Sequence, residues 1–405
     1  MRKLPLFAMI MFIAFACTTT VDEEPIDLNE KGEALCLEDG FGGGCIDIID
    51  DPGPGGGGTG GGGTGGTGGG NSAPPPPIGT HFIAFMKGKN SSNINHAITT
   101  NSPSAWQNYG GTPGAWQTQE GPGVVLFHDE VYMFHVSNSS EKVIQSHAEF
   151  DSNGNLSWQT TNSNIELGNG ARTHEAVSAA VWKDRIWVAS KSVNNDAIYV
   201  SRSFQNDGTQ YESTAELAVT ESENDGGAED TFPFDDVDGW PPYLTVFQDK
   251  LYVFWVKRTT NSVFYKVKET LNGTWSARVE VTGIQHGERR EAKFGVAATE
   301  HNGKLYIVYP SKLNHSLLAR QVLPVEPGIQ NMTSLSNADS KSRPSMASDG
   351  TNLMVVYRDE KDPYDDDVNN DIYYSYMNGS GTWITNQKAK GSSKQPPYVL
   401  FVDGN

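Results

Sequence analysis

Arg172, His174 and Glu175 fall together in GARTHEAVS (170–178), and three related stretches carry comparable side chains. These are DGWPPY (238–243) with Trp240, GERREAKFG (287–295) with Arg290 and Glu291, and KSRPSM (341–346) with Arg343. Arginine presents a planar fork of donors that matches the two oxygens of a carboxylate. Two carboxylates such as Glu175 and Glu291 can share the acid and base work of glycoside hydrolysis when they flank the scissile bond. Trp240 suits stacking on the apolar C–H face of a sugar, while polar neighbours take the hydroxyls. The same arginines can instead ion-pair with Glu175 and Glu291 across neighbouring elements, which is a purely structural use. His174 is the one histidine set beside a carboxylate in such a stretch. The histidines show no metal-ligand spacing, so no metal site and no cofactor is expected from them. Two acidic stretches, 221–239 and 359–371, hold clustered carboxylates of the kind that ligate Ca2+ through oxygen, but without the spacing of a Ca2+ loop. Solvated loops are the simpler reading of both.

Each of the four stretches runs into a short β segment, and those segments repeat. VVLFHDEVYMFHV (124–136), SAAVWKDRIWVAS (178–190), YLTVFQDKLYVFW (243–255), VAATEHNGKLYIVY (296–309) and SMASDGTNLMVVY (345–357) each read as two antiparallel strands around a tight turn. A third strand follows each hairpin, and a fourth often carries tryptophan, as in NGNLSWQ (153–159), LNGTWSA (271–277) and NGSGTWIT (378–385). In two units the fourth strand is placed instead at TQYES (209–213) and IQNMTSL (329–335). Four antiparallel strands per unit is the pattern of a propeller blade. The span 80–405 opens without a first strand, at THFIAFM (80–86), and closes on a first strand without the other three, at YVLFVDGN (398–405). Joining the two restores the repeat. The expectation is an all-β, six-bladed propeller over 80–405 whose first blade is closed by the C-terminal strand, leaving no free sheet edge.

The segment before the propeller carries an address. Arg2 and Lys3 precede an apolar run, Leu4 to Ala16, that is too short to span a bilayer and suits a signal peptide over 1–16. Ala14-Phe15-Ala16-Cys17 resembles a bacterial lipobox, which implies lipidation of Cys17. Thr18 after it implies, by the same resemblance, outer-membrane or cell-surface residence. An ordinary secretion signal cut after Ala16 is the alternative. Cys36 and Cys45 flank a glycine-rich stretch, and in an exported chain such a pair forms a small disulfide loop. The Gly- and Pro-rich run 52–79 is a flexible coil ending in a stiff spacer, so 17–79 reads as a lipidated tether. The formal net charge of −19 argues against nucleic acid or an anionic membrane as partner through bulk charge. Membrane contact is expected only through the lipid, and the propeller is expected to be monomeric.

The blade rhythm of 80–405, with SRPSMASDGTNLMVVYRD and NNDIYYSYMNGSGTWIT as its clearest stretch, resembles the repeats of sialidases and of fucose-binding fungal-type lectins, both six-bladed. The closing NG-x-W turns are the lectin-like element. LNGTW (271–275) and NGSGTW (378–383) keep the glycine and tryptophan of the sialidase Asp box and lack its aspartate. The sialidase resemblance implies three arginines gripping a substrate carboxylate, which would fall to Arg172, Arg290 and Arg343. The match to the arginine-proline motif is partial and lies in the last blade. Fold alone names no function. The reading drawn from the sequence is a surface-tethered, lectin-like propeller binding glycan or another extracellular ligand through Arg172, His174, Glu175, Trp240, Arg290, Glu291 and Arg343. An exo-acting glycoside hydrolase of sialidase type and a protein-interaction scaffold are the alternatives.

Overall fold

The computed structural model describes residues 81–99, 102–111, 117–151, 155–159, 165–167, 171–224, 240–281, 291–324, 332–359 and 370–403. Expectations for the signal peptide, Cys17, Cys36, Cys45, the tether, Arg290 and most of both acidic stretches concern residues outside these. The chain divides into residues 1–70 and 71–405, and the propeller is the second unit.

Six antiparallel sheets make six blades. Blade one pairs Tyr398–Val402 with His81–Lys87, then Ile94–Thr99, then Trp106–Gly111. The inner strands of blades two to six are Gly123–Phe127, Ser178–Val181, Tyr243–Phe247, Ala297–His301 and Ser345–Ser348. Each inner strand lies beside the next, and Tyr398–Val402 touches the inner strands of both blade six and blade two, so the ring is closed. The closing register is Phe82 opposite Phe401, Ile83 opposite Leu400 and Ala84 opposite Val399. The last strand of the chain is therefore the innermost strand of the first blade, and it covers a sheet edge that would otherwise be open.

The hairpin turns of blades two to five are built alike. His128 and Asp129, Lys183 and Asp184, Gln248 and Asp249, and Asn302 and Gly303 all have positive φ at both central positions. That is the two-residue turn whose twist matches the flanking strands. Between blades, alternate side chains interdigitate into an apolar core, with Phe85, Phe134, Trp187, Phe254, Trp255, Tyr309 and Tyr357 wholly buried.

The fourth strands are where the molecule departs from its sequence pattern. In blade three TQYES contributes only a single bridge, Ser203 to Tyr211, and the fourth strand is Glu216–Val219. Gly208 lies against the Tyr132 ring of blade two, where a Cβ would sit 2.5 Å from Cζ, so the chain turns there before it can pair. In blade four the LNGTWSA stretch is not a strand. Ser276 closes it onto Val267 through N–H and Oγ bonds of 2.8 and 3.0 Å, and pairing resumes at Val279–Glu280.

Candidate functional site

Among the described residues, four of the segments that lead into the inner strands share one turn. Counting five residues back from each inner strand gives Thr118, Thr173, Ala292, Ser340 and Ser393 among the described residues. The four hydroxyls at these positions each accept from the N–H, and donate to the C=O, of a residue two further on: Glu120, Glu175, Ser342 and Gln395 respectively. This side-chain turn satisfies backbone groups that no strand can serve. A bridge or backbone bond then ties the turn to the end of the second strand or the start of the third in a blade: Thr118 to Ser137, Arg172 to Lys142, Ala292 to Ser311 and Ser340 to Asp359.

Each inner strand opens on a residue at one end of the ring. Around the ring these are Tyr398, Gly123, Ser178, Tyr243, Ala297 and Ser345. The two tyrosines come from opposite blades, one and four, and stack with centroids 5.9 Å apart and planes 14° apart. Tyr398 donates to Ala179 O at 3.0 Å, and the Tyr243 hydroxyl lies 3.3 Å from Ser345 Oγ. Two large rings fill the axis because the other four positions are small. Ser178 and Ser345 also stitch blades by accepting from Leu244 N and Val399 N at 2.9 and 3.0 Å.

Arg343 caps this pair. It is wholly buried, its Cζ lies 5.3 Å from the Tyr243 centroid, and it donates to Pro242 O (2.7 Å) and Val177 O (3.1 Å) of blades four and three. Burial pushes its pKa down, and Tyr243, Tyr398, Glu175 and Glu120 oppose that shift. Gly295, at φ +103°, leaves room for it; a Cβ there would sit 3.1 Å from Arg343 Cβ and Cγ. Three residues ahead of the inner strands stand Glu120, Glu175, Ser342 and Gln395 of blades two, three, six and one, and Trp240 and Phe294 of blades four and five; of these, Glu120 and Glu175 act electrostatically on Arg343. Glu175 is buried and accepts from Lys191 Nζ at 2.7 Å, and Lys191 also reaches Asp196 at 2.8 Å. Burial opposes the charge on Lys191, but Glu175 and Asp196 outweigh it and raise its pKa.

The remaining residues singled out in the sequence are spread along the rim. Arg172 pairs with Glu141 at 2.6 Å and His174 Nδ1 lies 3.6 Å from the same carboxylate, both side chains being largely open to solvent. Glu291 pairs with Lys312 at 3.0 Å within blade five. Trp240 is half-buried under Arg258, whose Cζ is 5.9 Å from its ring. Glu175 and Arg343 are brought together at the axis, whereas Arg172 faces the rim. Glu120, Gln395 and the tyrosine pair were not singled out in the sequence. For Glu120 and Gln395 the signal is the hydroxyl five residues ahead of the inner strand, Thr118 and Ser393.

A second concavity lies on the opposite face, between blades five and six. Its walls are the hairpin turn with His301, Asn302 and Lys304, the strand residues Tyr306 and Arg320, and the turn from Asn378 to Trp383. It encloses about 390 Å³. Tyr306 and Trp383 are both half-buried, so each leaves part of a ring open to the cleft. His301 Nδ1 bonds Ser348 Oγ at 2.8 Å and its Nε2 meets Asn302 Nδ2 at 3.0 Å, which fixes the Asn302 amide at the cleft wall. Burial lowers the His301 pKa against the pull of Asp349. Since an amide N–H can only donate, Nε2 accepts and the proton sits on Nδ1. A third cleft, of about 380 Å³, lies by Arg172, Ser190 and Tyr199. Among the described residues no group of three or more His, Cys, Asp and Glu is disposed to hold a metal, and no helix is long and apolar enough to cross a membrane.

No family model matches the sequence, and no curated protein matches it. Solved structures that share its outline include a GH43_1 enzyme from Xanthomonas citri, with 11% identity, a TM-score of 0.43, and 66% of this chain and 90% of that one covered. An α-L-arabinanase from Penicillium chrysogenum, solved with arabinobiose, has 13% identity and a TM-score of 0.43 over 68% of this chain and 83% of its own. A protein from Lactobacillus plantarum reaches 13% identity and a TM-score of 0.48, over 80% of this chain and all of its own. At such distances they carry no functional inference, and the assignment as a six-bladed β-propeller stands on the strand pairing itself.

Proposed function

We propose that this chain is a carbohydrate-recognition protein, displayed at the cell surface from a lipid on Cys17, and that the cleft between blades five and six receives the glycan. The observation that carries this reading is that Tyr306 and Trp383, from different blades, both line one open cleft furnished with Asn302, Lys304 and Arg320. Sugar rings offer apolar C–H faces to aromatic rings and demand hydrogen-bonding partners at their edges, and the cleft offers both. Its volume falls within the usual range for a small-molecule site. The apolar run before Cys17 and the glycine-rich tether support display. The experiment is a glycan array read with the full chain, followed by calorimetry on the best binder. Trp383→Ala and Tyr306→Ala should each weaken binding about tenfold or more, as loss of an aromatic anchor does. Unchanged affinity in both variants would overturn the site.

A second reading, glycoside hydrolysis, is favoured by one observation: Glu120 and Glu175 are two buried carboxylates at the same place, three residues ahead of adjacent inner strands. Turnover of fluorogenic glycosides, sialosides included, that is abolished in Glu120→Gln would support it. The Lys191 pair on Glu175 and the burial of Arg343 weigh towards a structural mouth.

A further inference from the structure

We infer that the cleft beside Arg172 is a second binding site, for a neutral sugar, at the opposite end of the ring from the cleft between blades five and six. Blade three and the segment leading into it build this site. The second and third strands of that blade are Ile186–Lys191 and Ile198–Arg202. Ser190 and Tyr199 are directly opposed across them and both line the cleft, so their side chains leave one face of the sheet together. The turn joining the two strands contributes Asn194 and Asn195, and Thr214 comes from the stretch before the fourth strand. Val193 N donates to Arg172 O at 3.4 Å, which holds that turn against the entering segment. Strand order puts this turn and Arg172 at the end of the ring away from the hairpin turn that walls the other cleft. The two clefts share no lining residue and are not copies of one repeat.

Ser190 carries the argument. It is only 4% exposed, yet among the described residues its hydroxyl makes no hydrogen bond. A buried hydroxyl without a partner forfeits its hydration and gains nothing in return, and this one stands where an entering ligand would meet it. Tyr199 is half-buried, and among the described residues its hydroxyl has no protein partner either. Apart from two alanines and Arg172, every lining residue carries a hydroxyl or an amide. Such groups both donate and accept, as the edge of a sugar does, and the Tyr199 ring suits a C–H face. Charge argues against an ionic ligand. No carboxylate among the lining residues would hold a cation, and Arg172 is already answered by Glu141 at 2.6 Å. An anion would have to displace that carboxylate, whereas a neutral sugar leaves the pair intact and takes the guanidinium's remaining donors. The volume of about 380 Å³ lies within the range of small-molecule sites.

The test is calorimetry on the full chain with a panel of neutral hexoses, pentoses and 6-deoxyhexoses, as monosaccharides and disaccharides, beside the matching uronates. The expected result is that a neutral member binds and that its binding persists in Trp383→Ala, which disables only the other cleft. In that background Tyr199→Ala should weaken binding about tenfold or more, and Ser190→Ala about fivefold, the loss of one neutral hydrogen bond. Ser190→Ala also guards against misfolding. Its hydroxyl bonds no described residue, so the variant should melt no lower than its parent while binding less well; a merely structural serine would show the reverse. A neutral panel that does not bind in Trp383→Ala, or binding unmoved by both Ser190→Ala and Tyr199→Ala, would overturn this site and leave the glycan reading of the other cleft standing. Uronates held more tightly than neutral members, and lost in Tyr199→Ala, would overturn the neutral class.

Discussion

Arg343 donates to carbonyl oxygens of two other blades, so replacing it with methionine should do more than remove a charge. Pro242 O and Val177 O would lose their donor, and the electrostatic balance that Glu120 and Glu175 strike with the guanidinium would go with it. Each buried acceptor left without its donor costs about 1–3 kcal/mol. Chemical denaturation of Arg343→Met should therefore show a midpoint well below that of the parent. A midpoint equal to the parent's would mean that the guanidinium is not the cap described here. Tyr398→Phe is the milder neighbour. It removes the bond to Ala179 O and keeps the stack on Tyr243, which predicts a loss of roughly 1 kcal/mol by the same measurement.

At the scale of the element, blades one and two each bury a histidine. His96 and His135 are 4% and 1% exposed, each with an Nδ1 that finds no partner. Burial drops both pKa values from 6.5 to about 4. Folding then favours the neutral form, and the unfolded chain takes up protons first. The stability these sites permit is complete above pH 6.5 and is lost as pH falls through 4, by roughly 3 kcal/mol for each site at pH 4. Melting temperatures should decline between pH 6.5 and 4, and His135→Leu should decline less steeply. An identical slope in that variant would assign the acid sensitivity elsewhere. The elements themselves were largely legible. Turn pairs such as His128-Asp129 and Lys183-Asp184, set between alternating apolar runs, announced the hairpins, and Val399 to Val402 announced the closing strand. The fourth strands were not legible in blades three and four, because Gly208 against Tyr132 and Ser276 against Val267 are tertiary contacts that reroute the chain. The site was half legible. Arg343 and Glu175 were marked as special from their place before an inner strand, but the burial that makes Arg343 a cap depends on Tyr243 and Tyr398 meeting across the axis. Tyr306 and Trp383 belong to different blades, and only the ring brings them to one cleft.

For the whole molecule, position of the cleft depends on closure. Blade six is held on one side by blade five and on the other by Tyr398–Val402, the strand that the C-terminus lends to blade one. Without that strand His81–Lys87 becomes a free edge, Tyr243 loses its stacking partner and Val399 N no longer reaches Ser345. Several large apolar side chains leave the core at once, each worth roughly 1.5–3 kcal/mol. The most direct test is the thermal unfolding of a chain ending at Gln395 beside the full chain. A closed ring predicts that the shortened protein is insoluble or melts far below its parent. A shortened protein that melts cooperatively at the parent's temperature would contradict the closure, and with it the placement of both the capped axis and the cleft.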